Sequence, residues 1–421
     1  MSTKKLHIVL LLIVFAMSTL AIHSSTLAQD DGPSQGFRLD APPYAVHGPY
    51  SVGYMTFDNG DTDTPLTGGI WYPARNPDGL DDAIDYDIGV DFLPALSGNA
   101  LLNAEPDSDN APYPLVVNSH GGGGTIYYNA YMYEHLASLG FVVISPNHVD
   151  NFVDSIMMDP ADFLPLNLDS IVLRPLDITR TLDYATDLTA PDGAMAGIID
   201  MERIAVIGGS YGGYTALMAV GGRLDFSTIP DMCAAGANLR PWNGVCDFSA
   251  EELLALEQRL IDLAGVDIEP GELWPSLGDE RIDAVVSLFP GNFSAVISDE
   301  GMAKITVPIL LSRNGGDQLV PNALNADRAW QFVSSSSKLM YTLEHAAHEV
   351  MGRCSPAWNA LPDFFVYCFD PVWDKNRAHD LANHFNAAFL LAILYNDADA
   401  AGVLAPDTVQ IPGIQYETTG F

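Results

Sequence analysis

RIAVIGGSYGGYTALMAV, residues 203–220, is the stretch whose reading decides the fold. Ile204 to Ile207 are all apolar, and three of the four are β-branched, the pattern of a strand covered on both faces. Tyr214 to Val220 has the composition of a helix. Between them Gly208, Ser210 and Gly212 form a G-x-S-x-G pattern in the strand–turn–helix context that the motif requires. A serine in so sharp a turn takes a strained backbone conformation, and side chains at Gly208 and Gly212 would collide with it. The hydroxyl is thereby held above the sheet at the start of a helix, whose dipole favours developing negative charge.

On either side of this elbow the chain alternates short apolar runs with helical patterns. The runs are Pro114–Ser119, Phe141–Ser145, Ala284–Phe289, Val307–Ser312 and Lys338–Leu343. Helical spacing occupies Tyr131–Leu139, Leu173–Leu188, Ala250–Ala264 and Ala378–Tyr395. Wholly apolar strands that alternate with helices predict a mostly parallel sheet covered on both faces. Ser51–Phe57 and Thr67–Tyr72 flank Asn59-Gly60, a hairpin signal, and predict antiparallel strands at one edge. Two stretches, 222–281 and 349–375, interrupt the alternation, each carrying a cysteine pair, and read as lid insertions. The fold class is α/β, with residues 29–421 as one α/β-hydrolase domain carrying these insertions.

The elbow nominates partners by chain order, which in such folds runs serine, acid, histidine. Asp317, in RNGGDQLVP after the Val307–Ser312 run, falls where a carboxylate can orient a histidine. Asp299 and Asp327 are the fallback acids. Four histidines follow Asp317: His345, His348, His379 and His384. The last two lie in the closing helix among apolar neighbours and read as structural. His348 lies further past the end of a strand than His345 and is preferred as the base; its ordinary pKa near 6.5 suits proton transfer at neutral pH. The His345/His348 pair lacks the Glu of a metal-binding HExxH helix, so no metal is expected. His120 precedes four glycines, Gly121 to Gly124. A backbone N–H from that run, Gly122 by preference, together with the N–H of Tyr211 would bind the oxyanion of a tetrahedral intermediate. His120 itself reads as structural.

The start of the chain reads as a signal peptide over residues 1–28: Lys4 and Lys5, an apolar run from Leu6 to Ile22, then Thr26-Leu27-Ala28 before a cleavage site. The expectation is a secreted protein, extracellular or periplasmic, with no stable membrane anchor once the leader is removed. The 18 basic and 54 acidic residues give a formal charge of −36, which excludes a nucleic-acid partner. Cys233, Cys246, Cys354 and Cys368 are an even set consistent with two disulfides in an exported protein. Three pairings exist; the local one, Cys233–Cys246 and Cys354–Cys368, closes two short loops of similar length.

The chain resembles the bacterial branch of α/β-hydrolases grouped with platelet-activating-factor acetylhydrolase and the predicted dienelactone hydrolases. The resemblance covers most of residues 47–395. It is carried by HGPYSVG (47–53), WYPA (71–74), SHGG (119–122), LASLGFVVI (136–144), RPLD (174–177), the elbow, and RAHDLANHF (377–385). It implies ester hydrolysis without a cofactor, with Ser210 and His348 at the matching positions; for a secreted enzyme the substrate is expected to be a small-molecule or polymeric ester. In the acetylhydrolase the acid follows the strand after the nucleophile helix. Here that place holds Leu288-Phe289-Pro290-Gly291, so the role passes to Asp317. The elbow is also similar to that of prolyl-oligopeptidase-type peptidases, though this chain has no room for their propeller. A serine peptidase without a propeller, and a non-catalytic binding protein on the same scaffold, are the alternative readings.

Overall fold

A computed structural model describes residues 36–421 apart from 63, 91–92, 235–244, 292–293, 295 and 362–364. Residues 1–28, read above as the signal peptide, lie outside the described residues. The described residues form twelve strands: β1 Ser51–Asp58, β2 Thr67–Ala74, β3 Ile84–Tyr86, β4 Leu96–Gly98, β5 Leu101–Leu102, β6 Tyr113–Ser119, β7 Val142–Pro146, β8 Ile199–Gly209, β9 Ala284–Leu288, β10 Ile309–Asn314, β11 Lys338–Leu343 and β12 Ile414–Thr419. Ten of them make one sheet in the order β12-β11-β10-β9-β8-β6-β7-β2-β1-β5, and β3 pairs with β4. From β7 to β11 every neighbour is parallel. β1 and β2 are antiparallel to each other, and β2 is antiparallel to β7. This is the mostly parallel, doubly covered sheet with antiparallel N-terminal edge strands of the α/β-hydrolase fold.

Strand period 2 divides the apolar residues between the two faces. Leu115, Val117, Ile204 and Val206 join one buried cluster; Val116, Ala205 and Ile207 join the other. The first cluster is covered by α2, Pro160–Thr189, and α3, Tyr211–Ala219, the second by α1, Ala130–Ser138, and α5, Lys375–Leu394. The helix α4, Ala250–Ala264, begins on a capping box between Ser249 and Glu252 and ends on Gly265 at φ +66°. It packs on α2.

Several differences from the sequence reading have physical causes. The long helix does not begin at Leu173 but at Pro160, and it runs through both Pro165 and Pro175. Pro175 lacks the N–H that would bond the carbonyl of Ile171, four residues back. The Tyr214 hydroxyl of α3 donates to that carbonyl at 2.8 Å instead, so a tertiary contact replaces the lost helical bond. The chain does not close on its apolar helix: β12 follows it and pairs antiparallel with β11. Its residues alternate half-buried and exposed, as expected for an edge strand. The segment between β1 and β2 is longer than a two-residue turn, with Gly60 at φ +69°. Both disulfides are local: Cys233–Cys246 with Cα atoms 5.5 Å apart, and Cys354–Cys368 at 5.2 Å.

The Tyr214–Ile171 bond yields a test. Tyr214→Phe leaves a buried carbonyl unsatisfied and should cost about 1–3 kcal/mol in urea unfolding. Combining it with Pro175→Ala, which restores the helical donor, should recover a large part of that loss; equal loss in both variants would show that the proline break is not what the hydroxyl repairs.

Candidate active site

Ser210 sits between β8 and α3, at the N-cap of the helix, with φ +56° and ψ −118°. The flanking glycines make room for this conformation. A Cβ at Gly212 would lie 1.9 Å from the carbonyl oxygen of Ser119, and one at Gly208 would lie 2.2 Å from that of Gly212. The elbow is pinned from the next strand as well: Ser210 N–H donates to Leu288 O at 2.9 Å, and Gly291 N–H donates to Ser210 O at 3.0 Å. The turn therefore seats the N-terminus of α3 against the end of β6, and the loop after β6 lies beside the serine. A Cβ at Gly121 would stand 3.8 Å from Ser210 Cβ.

Three side chains from separate strand ends meet there. His348 Nε2 lies 2.9 Å from Ser210 Oγ, and His348 Nδ1 lies 2.6 Å from Asp317 Oδ2. The Asp317 side chain is fully buried and that of His348 is 9% exposed. The other carboxylate oxygen of Asp317 accepts from the N–H groups of Leu319 and Val320, both at 2.8 Å. These bonds fix the carboxylate so that Oδ2 faces the imidazole. Burial pushes the His348 pKa down, but the hydrogen bond and charge of Asp317, with Glu349 adding to them, outweigh it and leave the imidazole above its usual 6.5.

Sequence reasoning missed what holds the histidine loop. Ala347 N–H donates to Asp370 Oδ2 at 2.8 Å, and the Asn314 amide donates to the carbonyls of Ala347 and His348 at 3.1 and 3.3 Å. Gly315 and Gly316 are needed because the loop after β10 lies against the loop after β11: a Cβ on Gly316 would fall 2.5 Å from His345 O. No motif marks Asp370 or Asn314, because their partners are backbone groups brought near by folding.

The remaining candidates lie elsewhere. Asp299 accepts from Arg328 at 2.6 Å, and Asp327 pairs with Arg313. His345 is solvent-exposed. His379 stacks on Tyr131 with centroids 4.1 Å apart, and His384 Nδ1 accepts from Tyr44 N–H at 3.3 Å. Burial drives the pKa of both histidines down, to about 4 for His384. His120 is buried and neutral for the same reason, with Arg174 and His148 adding to the effect.

A cavity of about 630 Å³ opens on Ser210 and His348. Gly121 to Gly124 form one side; Tyr128, Phe152, Phe289, Trp358 and Tyr367 supply aromatic surface. Phe152 and Trp358 stack, with centroids 6.2 Å apart. Among the described lining residues Glu349 has the only fixed charge, and it accepts from the Tyr128 hydroxyl at 3.0 Å. Lys375 Nζ donates to the carbonyls of Glu349 and Tyr367, which ties two lining residues together. Burial brings its pKa down to about 8. The interruption at 349–375 thus builds cavity wall. No described residue of 222–281 lines the cavity.

Residues 84–159 match the family model described as platelet-activating factor acetylhydrolase, isoform II. A ferulic acid esterase from Streptomyces cinnamoneus has a similar structure, with a TM-score of 0.54 at 19% identity over 88% of this chain and 97% of that one. The chain has the α/β-hydrolase fold. The matched segment runs from β3 through the glycine loop and β7, and it ends ahead of the elbow.

The electrostatics of His348 yield a titration test. Asp317→Asn removes the hydrogen bond and charge that do most to raise the imidazole pKa, and leaves the smaller effect of Glu349 and the burial that lowers it. The His348 ring, followed by NMR, should titrate above 6.5 in the wild type and below it in the variant. A midpoint that does not move would mean that Asp317 does not set the proton affinity of His348.

Proposed function

We propose that the chain is a secreted serine carboxylic-ester hydrolase that works through Ser210, His348 and Asp317 and an acyl-enzyme intermediate. The observation that carries this reading is the unbroken hydrogen-bonded line from Ser210 Oγ through His348 to buried Asp317, with separations of 2.9 and 2.6 Å, at the floor of a cavity. The similarity to the acetylhydrolase family over residues 84–159 supports the same chemistry. The two disulfides suit an exported protein. Among the described residues no helix is long and apolar enough to cross a membrane.

His348 Nε2 takes the proton as Ser210 Oγ bonds to the ester carbonyl carbon. The carbonyl electron pair moves to oxygen, and the N–H groups of Gly122 and Tyr211 receive the oxyanion. Collapse of the intermediate breaks the bond to the alcohol oxygen, which leaves with the proton from His348. Water then attacks the acyl-serine and gives its proton to His348. The second collapse returns that proton to Ser210 Oγ and releases the acid. Asp317 holds the Nδ1–H tautomer and stabilises the imidazolium in both halves.

The lining bears on the substrate. Aromatic walls favour an apolar or aromatic moiety, and a carboxylate at Glu349 disfavours an anionic one. A polyanionic exterior adds to the repulsion at low salt.

Three comparisons test the reading. Ser210→Ala should lose release of p-nitrophenol from short acyl esters by at least about 10³-fold, together with labelling by a fluorophosphonate. Faster turnover of aminoacyl-nitroanilides than of esters by the wild type would assign a peptidase instead. In matched ester pairs that differ only in a terminal ammonium or carboxylate, kcat/KM should favour the cationic member by about ten- to a hundredfold. Glu349→Gln should remove most of that preference; a preference that survives the substitution would place its origin elsewhere.

A further inference from the structure

Behind the glycine loop lies a buried polar cluster that the acyl-transfer scheme does not use. Arg174 of α2 and Asp150 both have fully buried side chains and make a two-point ion pair, Nε to Oδ1 at 2.8 Å and Nη2 to Oδ2 at 3.0 Å. The remaining N–H groups of the guanidinium face the start of the glycine loop. Nη1 donates to His120 O at 2.6 Å, and Nη2 donates to Gly121 O at 3.2 Å. The guanidinium carbon sits 4.2 Å from the centroid of the Tyr211 ring. One cation therefore touches the segments that carry both proposed oxyanion donors.

A second donor acts on the same carbonyl. His148 N–H donates to His120 Nε2 at 3.1 Å, so His120 bears its proton on Nδ1, which donates to Gly121 O at 2.8 Å. His148 is held in turn: its Nδ1 lies 2.9 Å from Asp177 Oδ2 and its Nε2 lies 2.9 Å from Ser119 Oγ. Ser119, His148 and Asp177 reproduce the order of a catalytic triad, but Ser119 and His148 are wholly buried and lie outside the cavity lining, so this set serves the loop and not a substrate. Asp150 also accepts through its backbone, from Gly123 N–H at 3.1 Å.

The trans peptide converts these contacts into a directional constraint. In a planar trans unit the carbonyl of residue 121 and the N–H of residue 122 point in opposite directions. Three donors hold Gly121 O, Arg174 and His120 from behind and the Gly124 N–H closing the turn at 3.1 Å, and together they turn Gly122 N–H outward. Among the described residues that N–H has no protein partner, while those of Gly123 and Gly124 are both bonded. Without such an anchor a run of four glycines would sample many peptide orientations. Stabilising an oxyanion depends on donors oriented before the reaction.

The geometry points to Arg174, clamped by Asp150, as the positioning residue of the oxyanion site: it fixes the 121–122 peptide through Gly121 O and braces the Tyr211 ring. This inference rests on the ester-hydrolase reading. A buried ion pair is not needed for stability alone, since apolar or neutral replacements of both partners are often tolerated, whereas removing one partner is not.

The test uses the full mature enzyme and three variants: Arg174→Lys, which keeps the charge but lacks the fork, the double variant Arg174→Met with Asp150→Asn, which leaves no unpaired ion, and Arg174→Met alone. Wild-type ester turnover and Ser210 labelling are measured in parallel; their absence would refute the hydrolase reading, whatever the variants do. Given wild-type turnover, the folded double variant should lose about 10²–10³ in kcat with KM changed less than about threefold. Its affinity for a boronic acid or trifluoromethyl ketone, which place an oxyanion in the site, should fall in parallel. The acid limb of its pH profile should stay in place, because His348 and Asp317 are untouched. Arg174→Lys should fall between the double variant and the wild type. A folded double variant that keeps kcat within threefold of wild type, or a loss that appears in KM alone, would overturn the assignment. Failure of both charge-balanced variants to fold would also overturn it, by making the pair a folding element.

Discussion

The contact on which this molecule depends is the one between Gly212 and the end of β6. The first turn of α3 can pass the Ser119 carbonyl only because residue 212 has no side chain; a Cβ would lie 1.9 Å from that oxygen. This approach lets β8 turn sharply into α3 and leaves Ser210 at φ +56°. It also joins two consecutive parts of the site, because the strand that supplies the Ser119 carbonyl leads directly into the glycine loop. The serine, the helix N-terminus and the loop are therefore placed by a single close packing of backbone on backbone. Strain of this kind persists only where the surrounding structure overdetermines it, and here bonds from Leu288 and Gly291 supply that support.

The electrostatic design differs between the outside and the inside. The surface is overwhelmingly acidic, yet the most deeply buried charged pair includes an arginine, and the acids near the site are each matched to specific donors. Asp317 is bonded by two backbone N–H groups and His348. Asp150 is bonded by Arg174. Asp370 accepts from Ala347 beside the histidine. Each of these carboxylates uses its charge to orient a backbone or a ring, and burial makes such orientation strong because water does not compete. Glu349 is the exception: it stands in the cavity wall, bonded by Tyr128, where its charge meets whatever enters.

Part of the cavity wall comes from a segment that supplies no strand to the sheet. Residues 349–375 contribute Glu349, Met351, Gly352, Trp358 and Tyr367 to the lining. They are bound together by the Cys354–Cys368 bridge and by Lys375, whose ammonium spans the carbonyls of Glu349 and Tyr367. The other interruption, 222–281, takes a different course. Its helix α4 packs on α2, and its described residues leave the cavity untouched. Two insertions with the same look in the sequence, each with one cysteine pair, thus have different surroundings.

What the sequence determined by itself was whatever depends on neighbours along the chain. Apolar runs alternating with helical spacing specified the parallel, doubly covered sheet, since a strand buried on both faces has no polar side. The glycines around Ser210 marked the elbow, since only glycine fits it, and strand ends nominated Asp317 and His348. Tertiary structure decided the rest, because its partners are far apart in sequence and leave no periodic trace. The helix runs through Pro175 because a tyrosine from α3 serves the orphaned Ile171 carbonyl. The polar edge strand β12 exists because β11 offers it a ladder. RPLD at 174–177 was visible only as a likeness. That Arg174 reaches the carbonyls of His120 and Gly121, more than fifty residues away, follows from the packing of α2 beneath the loop, where a buried cation takes the acceptors that folding brings within reach.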